Sequence, residues 1–173
     1  VGALERESAD FAVSWTEADD PGFYCARMRP GLAARDALSR NPGFVGSNFL
    51  IRARAFAAVG GFDQDLRVSN DLDLLVRLLV SGCTYAVNER VSVQNRIHGG
   101  GQLTDKTEAR VEAIYAYRSK HRHMMGWRDH LRIGTTVFGI RRVVAHGLPR
   151  RIVYTALTAL GKGALLVTRS SAR

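Results

Sequence analysis

Acidic residues almost vanish from the last third of this 173-residue chain. Between 118 and 173 only Asp129 stands against twelve Lys and Arg, a net +11, whereas residues 1–117 carry 13 Lys/Arg and 15 Asp/Glu, a net −2. The overall +9 therefore belongs to the tail, and the chain reads as a near-neutral body with a basic extension. Cysteine is as scarce. Cys25 and Cys83 make neither a disulfide framework nor a metal-ligand spacing, so both are expected as reduced core thiols of a cytoplasmic protein. Long apolar runs are missing too. Ile152–Val167 is the most apolar stretch, but it is short and holds Lys162, and a spanning helix needs roughly 20 apolar residues. It reads as an interfacial or packed terminal helix. Internal repeats, low-complexity runs and a signal-peptide pattern are lacking as well. The chain opens on Val1, in what reads as the middle of a helix over Val1–Glu7, and is expected to be a fragment.

What is present suits a soluble globular domain. Hydrophobic residues make up 46% and charged residues 24%, and the length allows one real core. Seventeen glycines point to many turns.

The most informative stretch runs from Gly60-Gly61-Phe62-Asp63 to Gly82. The two glycines predict a tight turn, and Asn70-Asp71-Leu72-Asp73 predicts a helix start. Asn70 is a favoured N-cap type, and Asp71 and Asp73 suit the positive end of a helix dipole. Leu72, Leu75 and Leu79 share a face that Leu74 and Leu78 widen, and Gly82 marks the stop. Asp73 and Arg77, four apart, are expected to pair on the outer face. Two readings of the helix start remain open: Asn70, Asp71 and Asp73 merely cap the helix, or Asp71 is a general base held there. Asp71 and Asp73 resemble a D-x-D metal motif in letters only, because residues two apart on a helix face different ways.

Elsewhere the pattern predicts strands over Asp10–Thr16, Phe44–Arg52, Cys83–Val87 and Val91–Ile97. Short helices are expected near Leu32–Leu38 and over Arg54–Val59. Asp19-Asp20 fits a solvated acidic turn better than a metal site. Gly46 inside the second strand suggests a bulge or a close approach, with Ser47 and Asn48 placed to wall a polar pocket. His98 is followed by Gly99-Gly100-Gly101-Gln102, an arrangement open to a metal or phosphate role and equally to a surface histidine before a flexible linker. The glycine spacing excludes a Walker loop and a Rossmann fingerprint. Thr104 or Asp105 is expected to cap a long helix to His123, with Val111, Ile114 and Tyr115 inward and His121 and His123 at a solvated end. Two more helices are predicted, about Arg128–His146 and Pro149–Thr168.

Gly46-Ser47-Asn48, Gly60-Gly61-Phe62-Asp63, Asn70-Asp71-Leu72-Asp73-Leu74 with Arg77 and Gly82, and His98 with its glycines, in that order, resemble the second half of a family 2 glycosyltransferase of the GT-A fold. The resemblance covers about residues 1–104 and implies an α/β partial GT-A domain with a mixed sheet, followed by a helical extension over 105–173. It implies transfer of a sugar from a nucleotide-diphosphate donor to a hydroxyl of a glycan or lipid-linked acceptor, usually with inversion and with Mg²⁺ or Mn²⁺. The family's Glu-Asp motif puts the candidate base on Asp71, while its Glu position is Asn70 here, which removes a carboxylate from the acceptor side. His98 matches the histidine near the metal and diphosphate. The loop with Gly100 and Gln102 matches the segment that closes over the donor, and Gly46, Ser47 and Asn48 match the pocket wall. The family's nucleotide-binding strands and metal-gripping D-x-D have no counterpart before residue 44, so this chain alone is expected to be inactive.

For the tail three partners come into view: an anionic membrane surface, a phosphate-bearing or lipid-linked acceptor, and nucleic acid. Arginines interleaved with apolar helical positions favour the first two, placing the protein in the cytoplasm, peripheral at the inner face of the plasma membrane. The lack of an aromatic platform or finger spacing disfavours nucleic acid. The alternative to an enzyme is a non-catalytic basic membrane-surface or scaffold protein built on the same fold.

Overall fold

The computed structural model describes residues 2–20, 22, 24–96 and 105–170, and it divides into two compact units, Val1–Gly99 and Gly100–Arg173. His98, Gly100 and Gln102 lie outside the described residues.

The first unit is built on β1, Phe11–Ala18, the middle strand of a three-stranded mixed sheet. β2, Phe49–Ile51, runs antiparallel on one side, and β3, Tyr85–Asn95, runs parallel on the other. The helices of this unit are α1 (Gly2–Arg6), α2 (Ala34–Ala37), α3 (Ala53–Ala58) and α4 (Asn70–Val80). The α/β reading with a mixed sheet and C-terminal helices holds. Asp10 joins the strand starts. Its carboxylate accepts from the Thr84 N–H at 3.0 Å and the Thr84 hydroxyl at 3.1 Å, and these bonds with the nearby Arg54 hold its pKa below the usual value.

The core combines a cluster of aromatic rings with the aliphatic side chains of α4. Phe11 stacks on Tyr85 at 5.2 Å and meets Phe44 edge-on at 6.0 Å, and Phe44 stacks on Phe49 at 4.1 Å. Leu74, Leu75, Val76 and Leu78 of α4 are fully buried. The helix starts and stops near the expected residues. Gly82 has φ +78°, with the Gly82 and Cys83 N–H groups donating to Leu79 and Leu78 carbonyls.

Several expectations need correction. Asn70 is the first helical residue, not the cap; Ser69 precedes it in a left-handed conformation, φ +64°. The Asp73–Arg77 pair is interior rather than on the outer face. Asp73 is 0% exposed, because the helix is buried on most of its circumference and Arg77 bends inward to hydrogen-bond both Asp73 and the Val59 carbonyl. The strand predicted over Phe44–Arg52 is only Phe49–Ile51, since Asn48 folds residues 43–48 into a turn. The two strands predicted after Cys83 are one. β3 continues through Glu89 and Arg90 with register shifts against Ser14–Thr16. Both cysteines are free but only half-buried.

Gly43 is required by that turn. Its φ is +112°, and a Cβ there would sit 2.3 Å from the Ala26 carbonyl oxygen. Gly43→Ala is expected to cost roughly 2–4 kcal/mol in urea unfolding, from backbone strain plus collision. A loss below about 0.5 kcal/mol would show that the 26–28 segment gives way freely.

The second unit holds α5 (Glu108–His121), a 3₁₀ turn (Arg122–Met124), α6 (Trp127–Val144) and α7 (Leu148–Ser170). The cap of α5 is Thr107, not Thr104 or Asp105: its hydroxyl accepts from the Arg110 N–H at 3.1 Å. Val111, Val137 and Ile140 form the core between α5 and α6. Tyr115, expected inward, is 37% exposed with Arg141 over its ring. His121, expected at a solvated end, is buried against Tyr117 with ring centroids 4.8 Å apart. α6 and α7 approach so closely that a Cβ on Gly161 would fall 2.2 Å from Thr135 Oγ1.

Candidate active site

Asp71 sits in the first turn of α4, half-buried. Its Oδ1 accepts from the Leu72 N–H at 2.7 Å, and the Asn70 side-chain oxygen accepts from the Asp71 N–H at 2.8 Å. Two successive side chains thus each take an N–H that the helix start leaves without an intrahelical acceptor. Burial pushes the Asp71 carboxyl above its ordinary pKa, and hydrogen bonds from the Leu72 N–H and its own N–H pull partly the other way.

The neighbouring carboxylates differ. Asp73 Oδ2 lies 2.6 Å from an Arg77 amino nitrogen and 2.8 Å from its Nε, so its charge is matched inside the protein. Asp10 is held by Thr84 and Arg54. Among the described residues no cation is paired with Asp71. It therefore has the features of a proton acceptor: an upward-shifted carboxyl, set at a helix start, without a salt-bridge partner among the described residues.

A cleft of about 590 Å³ opens on the sheet of the same unit. Arg6, Ser14, Ser47, Asn48, Asn88, Arg90 and Ser92 supply its polar lining, with no carboxylate among the lining residues. The register shifts in β3 fall at Asn88–Val93, the part that turns Asn88, Arg90 and Ser92 to this cleft. Such a lining suits hydroxyl-rich and anionic groups.

Of the residues singled out by sequence, Ser47 and Asn48 meet in this cleft; Gly46, Asn70 and Asp71 are not among its lining. Asn48 is 4% exposed, and its amide is engaged within the fold. It donates to the Ser14 and Gly43 carbonyls at 2.6 and 2.7 Å and accepts from the Val45 N–H at 2.9 Å. Gly46 lies in the exposed turn before it, with open space where a side chain would go. Arg6, Ser14, Asn88, Arg90 and Ser92 were not anticipated. The available signal was the polar Asn88-Glu89-Arg90 break in an otherwise alternating strand.

Among the described residues no three His, Cys, Asp or Glu side chains come together as a metal site. With Asp73 taken by Arg77, the described residues do not by themselves fit a divalent ion.

A family model described as Glycosyl transferase family group 2 matches residues 19–168, extending through the helices beyond the residues that carried the resemblance. No curated protein and no solved structure matches the chain.

Proposed function

The chain belongs to glycosyl transferase family group 2, and from that premise we propose that its first unit supplies the acceptor side of an inverting sugar transfer, with Asp71 as general base. Members of the family use a nucleotide-diphosphate sugar donor and an acceptor, generally with a divalent metal. The observation that carries the proposal is the setting of Asp71: in the first turn of α4, fixed by the Leu72 N–H, paired with no cation among the described residues, and raised by burial. The acceptor hydroxyl gives its proton to the Asp71 carboxylate. Its oxygen forms the new bond to the anomeric carbon as the bond to the diphosphate oxygen breaks, and the diphosphate leaves with the electron pair. Inversion follows from that single displacement.

Ser47 is proposed to bind sugar or acceptor hydroxyls, with Gly46 leaving room beside it. Asn48 is proposed to act by shaping that wall, since its amide is committed to Ser14, Gly43 and Val45. Asn70 is proposed to hold the Asp71 backbone in place of the family's Glu. His98 near the ion and diphosphate, and Gly100 and Gln102 in the closing loop, rest on the resemblance alone, as do Mg²⁺ and Mn²⁺. The test is transfer from labelled nucleotide-diphosphate sugars to glycan and lipid-linked acceptors by the full-length enzyme. Product from wild type, and none from an Asp71 variant that still binds donor, is the expected result. Donor binding without any transfer by wild type would contradict it.

A membrane-surface partner for the second unit is favoured by α7. Ile152, Leu160, Leu166 and Val167 are exposed, and Arg150, Arg151 and Lys162 lie on the same helix. Among the described residues no helix is long and apolar enough to cross a membrane. Co-sedimentation with anionic vesicles is expected at low salt, and Leu160→Glu with Leu166→Glu is expected to weaken it about tenfold or more. Equal binding by the double variant would remove α7 from the contact.

A further inference from the structure

The second unit contains a cleft of about 640 Å³ that sugar transfer does not explain. It lies among the end of α5, the 3₁₀ turn and the start of α6, lined by Tyr115, Arg118, Ser119, Arg122, His123 and His130. Tyr115, Arg118, Ser119 and Arg122 recur every three or four residues, so one helical face presents them together. The 3₁₀ turn adds His123, and α6 adds His130 from across the cleft.

Arg118 is anchored rather than free to sweep. Its Nε donates to His130 Nδ1 at 3.1 Å. Accepting at Nδ1 assigns a neutral His130 its proton at Nε2, so the ring remains a donor. The terminal amino groups of Arg118 stay available on a guanidinium whose direction is set. Among the described residues no carboxylate pairs with Arg118, Arg122, His123 or His130, and none lines the cleft. Two hydroxyls, Tyr115 and Ser119, complete a set made of donors.

A cluster of donors with no acid is what a phosphate group requires: several N–H and O–H groups aimed at one multiply charged oxygen centre. The surrounding net charge of +11 over 118–173 would draw such an anion in. We propose that this cleft binds a phosphate monoester, with Arg118 and Arg122 as the principal charged contacts and His130 as the residue that orients Arg118. The ligand is either a soluble phosphorylated compound or the phosphate headgroup of a lipid.

The test uses the full chain, inorganic phosphate followed by NMR, and phosphatidylcholine vesicles with and without phosphatidic acid. Arg122→Gln with His123→Gln alters exposed side chains and is expected to leave the thermal melt unchanged. It should weaken binding about tenfold or more, while Arg150→Gln with Arg151→Gln on α7 should leave phosphate affinity within about twofold. Arg118→Gln should match the first pair if its melt is normal. Saturable binding of free phosphate with this variant pattern identifies a soluble ligand. With the α7 contact weakened by Leu160→Glu and Leu166→Glu, binding only to vesicles containing phosphatidic acid, lost on adding Arg122→Gln/His123→Gln, identifies a headgroup. Absence of both, or equal losses from both pairs of variants, overturns the proposal, because binding would then be absent or spread over the basic surface.

Discussion

Asp71→Asn is expected to lower transfer by about two to four orders of magnitude while leaving donor affinity within about threefold. The amide keeps the shape, and its oxygen still accepts from the Leu72 N–H, so the start of α4 survives. What disappears is a group able to take a proton. The same variant is expected to be more stable than wild type at neutral pH. Burial raises the folded-state pKa of Asp71 above the unfolded value, so the folded chain holds the proton more strongly across that interval. Stability from this group is thus greatest below the ordinary aspartate pKa and falls as pH rises through the raised one. Above that window the buried charge is a cost, and the neutral amide relieves it. Activity loss is what separates a base from a cap, because asparagine caps about as well as aspartate and a residue that only caps would leave turnover intact. Parallel transfer assays and urea melts measure activity and stability. A variant that still turns over would return Asp71 to the capping role.

Arg77→Met is expected to destabilise the first unit by roughly 3–5 kcal/mol, with the cost carried by what it leaves behind. Asp73 is fully buried, and Arg77 is its charge partner as well as a donor to the Val59 carbonyl at the end of α3. Methionine fills most of the aliphatic volume but leaves a carboxylate in the interior. Against the 5–15 kcal/mol that usually holds a domain folded, this is a large fraction. Asp73→Leu combined with Arg77→Met should recover much of the loss, since a matched apolar pair avoids two desolvation costs. Urea unfolding of the two single variants and the double variant gives the coupling. A single-variant cost under about 1 kcal/mol would mean that the pair is solvated in solution, as the sequence spacing first suggested.

Helix α4 was legible because its signals are local: a polar start, leucines at helical spacing and a glycine stop. Its surroundings were not. The inward turn of Asp73 depends on Arg77 reaching Val59, 18 residues earlier in the chain, and spacing within one helix contains no such information. The same limit applies to Asn48. Its bonds to Ser14 and Gly43 make a turn out of a stretch whose composition reads as strand. In β3 the polar residues 88–90 break the period-two pattern, yet the parallel neighbour β1 carries the strand across the break. His121 follows the rule in reverse: its charged neighbours suggest solvent, and packing on Tyr117 buries it. For the site, Asp71 stood out through a resemblance, and its burial and its bond from the Leu72 N–H became visible only in the fold. Arg6, Asn88 and Arg90 come from separate elements and meet only when the sheet forms.

The most direct test is the pH dependence of kcat/KM for transfer, read beside a ¹³C titration of the Asp71 carboxyl in the free enzyme. If Asp71 is the base, kcat/KM falls tenfold per pH unit on the acid side, and the break coincides with the Asp71 titration at a value above that of an ordinary aspartate. A flat acid limb through that titration, with full turnover while Asp71 holds its proton, would contradict the account.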